Sequence, residues 1–265
     1  MSAQILLVIL LAFLINLITT LSYSVRIVGI RTGRIAISFS LFNILVLISR
    51  TAYGFQAPLL ANTVEKNIKL GVFTGMADFQ WIIFASTIAT VIGGFLIPSF
   101  QRLLSIAVLK FSETKSVPKI FLRSLSKEGV YHFKESLVWP KSQNLKINFL
   151  DNFPWKVFLM NVFAVAILTI GVLSSIYAGY LNPDFRSTAS SLSAIINGMA
   201  TILMFVFIDP FLSSMTDDVV LGKCSEATFR RYIVYMVIAR VVGTVLSQIL
   251  LLPSAHFIVF VARHI

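Results

Sequence analysis

Six stretches of twenty or more mostly apolar residues divide the chain, and they decide what it can fold into. The hydrocarbon core of a bilayer is about 30 Å thick, and a helix rising about 1.5 Å per residue crosses it with about 20 apolar residues. The stretches run over about Ala3–Tyr23, Ile35–Leu60, Phe79–Phe100 (continuing towards Leu109), Lys156–Leu181, Ala189–Leu212 and Tyr232–Val261. In lipid the backbone must satisfy its own hydrogen bonds, which makes these stretches helices. Barrel strands would instead alternate in short segments. The expected fold class is an all-α polytopic membrane protein with about six transmembrane helices. Of the 265 residues 57% are hydrophobic and 12% charged, about half the charge of a soluble domain. No Lys or Arg precedes the first stretch, which is therefore read as a retained span rather than a signal peptide.

The net charge of +11 is unevenly placed. The loops expected after the first, third and fifth spans hold 16 Lys and Arg, against 4 in the alternate loops and the C-terminus. The positive-inside rule then puts both termini outside and the long basic loop in the cytoplasm. That loop separates a first three-span half (1–109) from a second (156–265), with a basic connector at 110–155. In the connector, Lys119, Arg123 and Lys127 fall at i, i+4 and i+8. They suit either an interfacial helix resting on anionic phospholipid or a plain solvated connector. One cysteine, Cys224, excludes an intrachain disulfide.

The halves resemble each other weakly. At an offset of 152, Leu21-Ser22, Arg34, Ser38, Pro58 and Leu60 match Leu173-Ser174, Arg186, Ser190, Pro210 and Leu212. At an offset of 155, Leu96-Ile97-Pro98-Ser99 matches Leu251-Leu252-Pro253-Ser254. Identity is 8 over the clearest 40 positions, a level that two random apolar stretches approach. A true repeat would place two three-helix units in inverted orientation, the plan of many alternating-access transporters. Helix breaks are expected at Pro58, Pro98, Pro210 and Pro253, marking a site between the halves.

Charges inside a membrane need a reason. Arg240 lies about eight residues into the last span and Arg50 about fifteen into the second. One reading joins them in a cationic cavity, since a guanidinium fork can hold two phosphate oxygens. The other lets Arg50 snorkel outward and has Arg240 either pair with Asp209 or bond to backbone carbonyls. Arg26, Arg31 and Arg34 gather in the first basic loop, where they either receive an anion or only set orientation. Asn16, Asn43, Asn161 and Asn197 are expected to bond between helices. His132, His256 and His264 have no ligand spacing, and no HExxH, P-loop or nucleophile elbow occurs. Neither an enzyme nor a metal or other cofactor is expected.

The block Leu21-Ser-Tyr-Ser-Val-Arg-Ile-Val-Gly-Ile-Arg-Thr-Gly-Arg34, followed by Ser40-Leu-Phe-Asn-Ile44 and Ser49-Arg-Thr-Ala52, resembles the alternate MurJ (Amj) family of bacterial lipid II flippases. The likeness covers essentially the whole chain. It implies transport of lipid II (undecaprenyl-pyrophosphoryl muropeptide) from the inner to the outer leaflet of a bacterial plasma membrane. On that reading Arg50 and Arg240 hold the pyrophosphate, while Arg26, Arg31 and Arg34 meet it at the cytoplasmic mouth. Six spans make a small wall for so large a headgroup, which favours a homodimer. The rival readings are a transporter of another anionic or lipid-linked substrate and a structural membrane subunit of the cell-wall machinery.

Overall fold

The computed structural model describes residues 2–71, 76–116, 135–139 and 153–265. Among them every regular element is helical. In chain order these are α1 (Ala3–Leu21), α2 (Tyr23–Thr32), α3 (Ile35–Lys69), α4 (Ala77–Thr114), α5 (Trp155–Leu181), α6 (Arg186–Leu203), α7 (Asp209–Val220) and α8 (Glu226–His264). A 3-10 turn, Pro183–Phe185, leads into α6, and a π-helical turn, Met204–Ile208, joins α6 to α7. Six stretches are long and apolar enough to cross a membrane: 3–32, 35–69, 77–111, 155–181, 183–220 and 226–264. The protein is a six-span helical membrane protein.

The expected loop at Ser24–Arg34 is instead helix α2. The apolar face of α1 continues there: Leu21, Val25, Ile27 and Val28 are buried, so helix burial outweighs the polarity of Arg26 and Arg31. Gly33 stops it at φ 65°, a left-handed turn that a glycine adopts without strain. The Arg34 amide donates to the Gly29 carbonyl at 3.1 Å, closing the helix end.

Three of the four expected proline breaks are absent. Pro58, Pro98 and Pro253 lie inside continuous helices. Each removes a single helical hydrogen bond, which a long packed helix tolerates. Pro210 is different: it stands at the start of α7, directly after the π turn, where the helix type changes. Helix α4 also runs past residue 109 to Thr114. The Lys119–Lys127 segment lies outside the described residues.

Each half is built around its first helix. Helix α1 packs on both α3 and α4, which touch each other little; α5 likewise packs on both α6 and α8. The halves meet where α4 packs on α8, α3 on α5 and α2 on α7. Glycine lets these helices approach closely, as is common where small residues line membrane helix interfaces. At Gly243 of α8 a Cβ would stand 2.6 Å from the Val162 carbonyl oxygen of α5. Burial is uneven. In the most apolar window of α5, 61% is buried, against 17% for both α3 and the 183–220 span. The second span of each half therefore exposes most of its surface.

Candidate functional site

The sequence groups its cations by charge alone; the structure sorts them by what each one touches. Arg26, on α2, donates from Nη1 to Ser213 Oγ at 2.9 Å and pairs through Nη2 with Asp209 at 3.4 Å. Its guanidinium also lies 5.3 Å from the Phe39 ring centre. Asp209 thus pairs with Arg26 across the two halves, and not with Arg240. The pairing follows from the fold: α2 continues past the expected end of the first span, carrying Arg26 against α7.

Arg240 is 7% exposed. Its Nη2 donates to Thr19 Oγ1 at 2.6 Å and reaches Asn16 Oδ1 at 3.5 Å, while Nε has no partner. One helical turn from Arg240 on α8, the Met236 carbonyl accepts from Asn161 of α5 at 3.0 Å, and Asn161 also donates to the Tyr23 hydroxyl at 3.3 Å. This polar layer ties α8 to α1, α2 and α5. Asn16 and Asn161 bond between helices as expected, and so does Asn197 of α6, which meets the Tyr53 hydroxyl of α3 and sits over Gly171, where a Cβ would meet its Oδ1 at 2.1 Å; Asn43 is exposed.

Arg50 is exposed on α3 and makes no ion pair or hydrogen bond among the described residues. It belongs to a row: Ser40, Asn43, Leu47, Arg50 and Gly54 are all exposed at alternating spacings of three and four. That spacing keeps them on one helix face. The opposite face is the buried one, with Phe42, Ser49, Gln56 and Leu60. Helix α6 has a similar face of small residues, with Ser187, Ser191 and Ala194 exposed and Gly198 next in the same row. At both Gly54 and Gly198 the space a Cβ would take is open. The two helices flank α5 within a turn of each other. The Tyr53 hydroxyl of α3 donates to the Leu168 carbonyl at 2.9 Å, and Asn197 of α6 packs over Gly171.

At the end of the molecule where α4 leaves and α8 begins there is a cavity of about 580 Å³. Arg31, Gln101, Arg102 and Arg230 line one end of it. Glu226 accepts from Arg31 Nε at 2.7 Å and from Arg230, and Arg31 Nη1 reaches Gln101 Oε1 at 3.5 Å. Arg102 faces the cavity without a partner among the described residues. The far end is apolar, with Val91, Phe95, Val237 and Val241.

Arg50 and Arg240 therefore do not share this cavity, and no contact joins them. Arg26, Arg31 and Arg34 do lie at one end, but Asp209 engages the first and Glu226 the second. Arg34, exposed at the start of α3, has no ion pair or side-chain hydrogen bond among the described residues. The sequence reading missed Arg102 and Arg230. Nothing in the sequence links them, since they lie on different helices 128 positions apart. Among the described residues no group of His, Cys, Asp and Glu is placed to hold a metal ion.

A family model described as Amj, alternate to MurJ, matches residues 11–262. A protein of Bacillus subtilis (strain 168) named lipid II flippase Amj is 35% identical over 263 residues, covering 99% of this chain and 98% of that protein. No solved structure matches.

Proposed function

The chain belongs to the Amj (alternate to MurJ) family, and from that premise we propose that it moves lipid II from the inner to the outer leaflet of the bacterial plasma membrane. One observation carries the reading beyond kinship: the row on α3 that exposes Ser40, Asn43 and Arg50, which pairs with none of the described residues, within a membrane span. A polar, charged face turned away from the protein's own core is costly in lipid unless something polar meets it. The headgroup of lipid II is large, polar and anionic, and its single polyprenyl tail can stay in the bilayer while the head travels.

In this reading the basic connector is cytoplasmic and both termini are outside. Arg34 stands at the inner mouth and Arg50 at the far end of the row. Sixteen residues of helix separate them, about 24 Å of a hydrocarbon core about 30 Å thick. Each arginine can hold the pyrophosphate through two oxygens. The row on α6 forms the facing wall, with α5 as the floor between. The halves act as inverted three-helix units, a plan favoured by the matching way α1 and α5 each hold two neighbours. Arg240, engaged with α1, holds the scaffold and does not take the phosphate. A second copy placed row to row would complete the wall.

The test is outer-leaflet lipid II in cells lacking every other flippase, with wild type, Arg50→Gln or Arg34→Gln at matched abundance. Wild type is expected to expose lipid II, and each variant to expose about tenfold less, the loss of one charge-assisted contact. Full activity in Arg50→Gln would remove the α3 row from the path. No exposed lipid II in the wild type would overturn the function itself.

A further inference from the structure

We infer that the cavity between α4 and α8 is the seat of a two-chain anionic phospholipid, with its phosphate at Arg31, Arg102 and Arg230. The cavity has two chemically distinct ends. Arg31, Arg102 and Arg230 line its mouth, partly balanced by Glu226, and Arg102 has no partner among the described residues. From there the walls turn apolar. Arg102 to Val91 on α4 and Arg230 to Val241 on α8 each cover eleven residues, about 16 Å of helix. That depth is about half of a hydrocarbon core of about 30 Å, the thickness of a single leaflet.

The number of chains follows from a second hollow. A space of about 320 Å³ lies beside the first, lined by Ile92, Leu96 and Leu137, and the two share Phe95, Val138 and Trp139 as a common wall. That wall is fixed in place: the Val138 amide donates to Ser99 Oγ at 2.9 Å, and Ser99 returns a bond to the Val138 carbonyl at 3.1 Å. Two apolar troughs on either side of one wall, the first of them opening at the cationic mouth, match one phosphate carrying two acyl chains. A single-chain polyprenyl lipid would leave the second trough unfilled. The volume also falls in the range of small-ligand pockets. This site is separate from the α3 row, so it does not depend on the lipid II reading. Which leaflet it meets does follow from the proposed orientation. An occupant here would bridge α4 and α8, one from each half, and so bear on how the halves move.

Trp139 is 82% exposed and shared by both hollows, which makes it the reporter. With Trp81 and Trp155 replaced by Phe, its fluorescence is followed in phosphatidylcholine bilayers as brominated-chain phosphatidylglycerol is added. Brominated phosphatidylcholine is the control. Phosphatidylglycerol is expected to quench Trp139 at roughly tenfold lower mole fraction, the scale set by one or two basic residues acting on an anionic lipid. Arg102→Gln with Arg230→Gln should erase that preference, with unchanged helix content by circular dichroism showing that the fold survives. Arg102→Lys should keep part of it. Equal quenching by both lipids, or a preference that survives the double substitution, overturns the site. Release of quenching by added lipid II, but not by inorganic phosphate, gives the seat to the substrate and overturns the phospholipid assignment.

Discussion

Adding one methyl group at Gly243 or at Gly198 should change stability in opposite directions. Gly243 lies where α8 crosses α5, and the new Cβ would meet the Val162 carbonyl oxygen at 2.6 Å and the Val165 side chain at 3.0 Å. The Val162 oxygen belongs to the helix backbone and cannot rotate away, so the two helices must part. Overpacking of this kind costs about 1–3 kcal/mol. Alanine returns about 1 kcal/mol in helix propensity, which leaves a net loss of up to about 2 kcal/mol. At Gly198 nothing lies within 4 Å, so only the propensity gain remains, about 0.5–1 kcal/mol. The assay is apparent melting of the purified protein in one detergent at one scan rate, since membrane proteins seldom unfold reversibly. On the scale for chains of this size, about 2–4 °C per kcal/mol, the variants should bracket the wild type and differ by several degrees. If Gly243→Ala melts at or above Gly198→Ala, the close α5–α8 approach is not what holds the second half together.

Two further expectations follow from the same contacts. Removing Arg240's partners should cost more than removing Arg240. Thr19→Val with Asn16→Leu removes two of the buried guanidinium's oxygen partners and leaves it the Tyr23 hydroxyl, a loss of about 3 kcal/mol. Arg240→Met leaves Asn16 bonded to the Ala12 carbonyl and Thr19 to the Ile15 carbonyl, and should cost less; the triple variant should melt above the double one, and the opposite order refutes the polar layer. In a Cys224→Ser background, Asn43→Cys should react with a membrane-impermeant maleimide while Ile48→Cys, on the exposed apolar side of α3, should not. Asn43→Cys that stays unreactive yet forms a disulfide-linked dimer would make the α3 row a contact between copies and not a path.

Span number was legible because it depends on one quantity, the length of apolar runs, which lipid reads directly. Helix ends were less so. Polar residues such as Arg26 and Arg31 read as loop, but helices of this protein extend beyond the hydrocarbon: α3 has 35 residues, about 52 Å. The prolines misled for a related reason. A missing hydrogen bond is a local cost, and whether it breaks a helix depends on packing around it, which no single span reveals. Arg50 and Arg240 looked alike in sequence, each an arginine inside an apolar run. Only the helix neighbours separate them: Arg240 turns towards α1 and is consumed by the scaffold, whereas Arg50 is exposed and pairs with none of the described residues. The cavity was least legible, since Arg31, Arg102 and Arg230 come from three helices brought to one end by the antiparallel pairing of α4 with α8.

Charge movement gives the proposed reaction a sign. About two negative charges of the pyrophosphate would pass from Arg34 to Arg50, about 24 Å of the roughly 30 Å over which the membrane field falls. Each charge crossing fully gains about 2.3 kcal/mol per 100 mV, so an inside-negative potential favours the outward leaflet by about 4 kcal/mol. At about 1.4 kcal/mol per tenfold, that is a leaflet ratio near a thousand. In proteoliposomes with a potassium diffusion potential, lipid II should collect in the leaflet facing the positive compartment, and the bias should vanish at zero potential. The wild type must equilibrate lipid II at zero potential for the experiment to count, which separates failure of flipping from failure of the charge argument. An even distribution at 100 mV in an active preparation would mean that cations carrying about two positive charges travel with the pyrophosphate. The arginines of the row would then hand on a neutral pair and not a bare anion, and the membrane potential would not be the driving force.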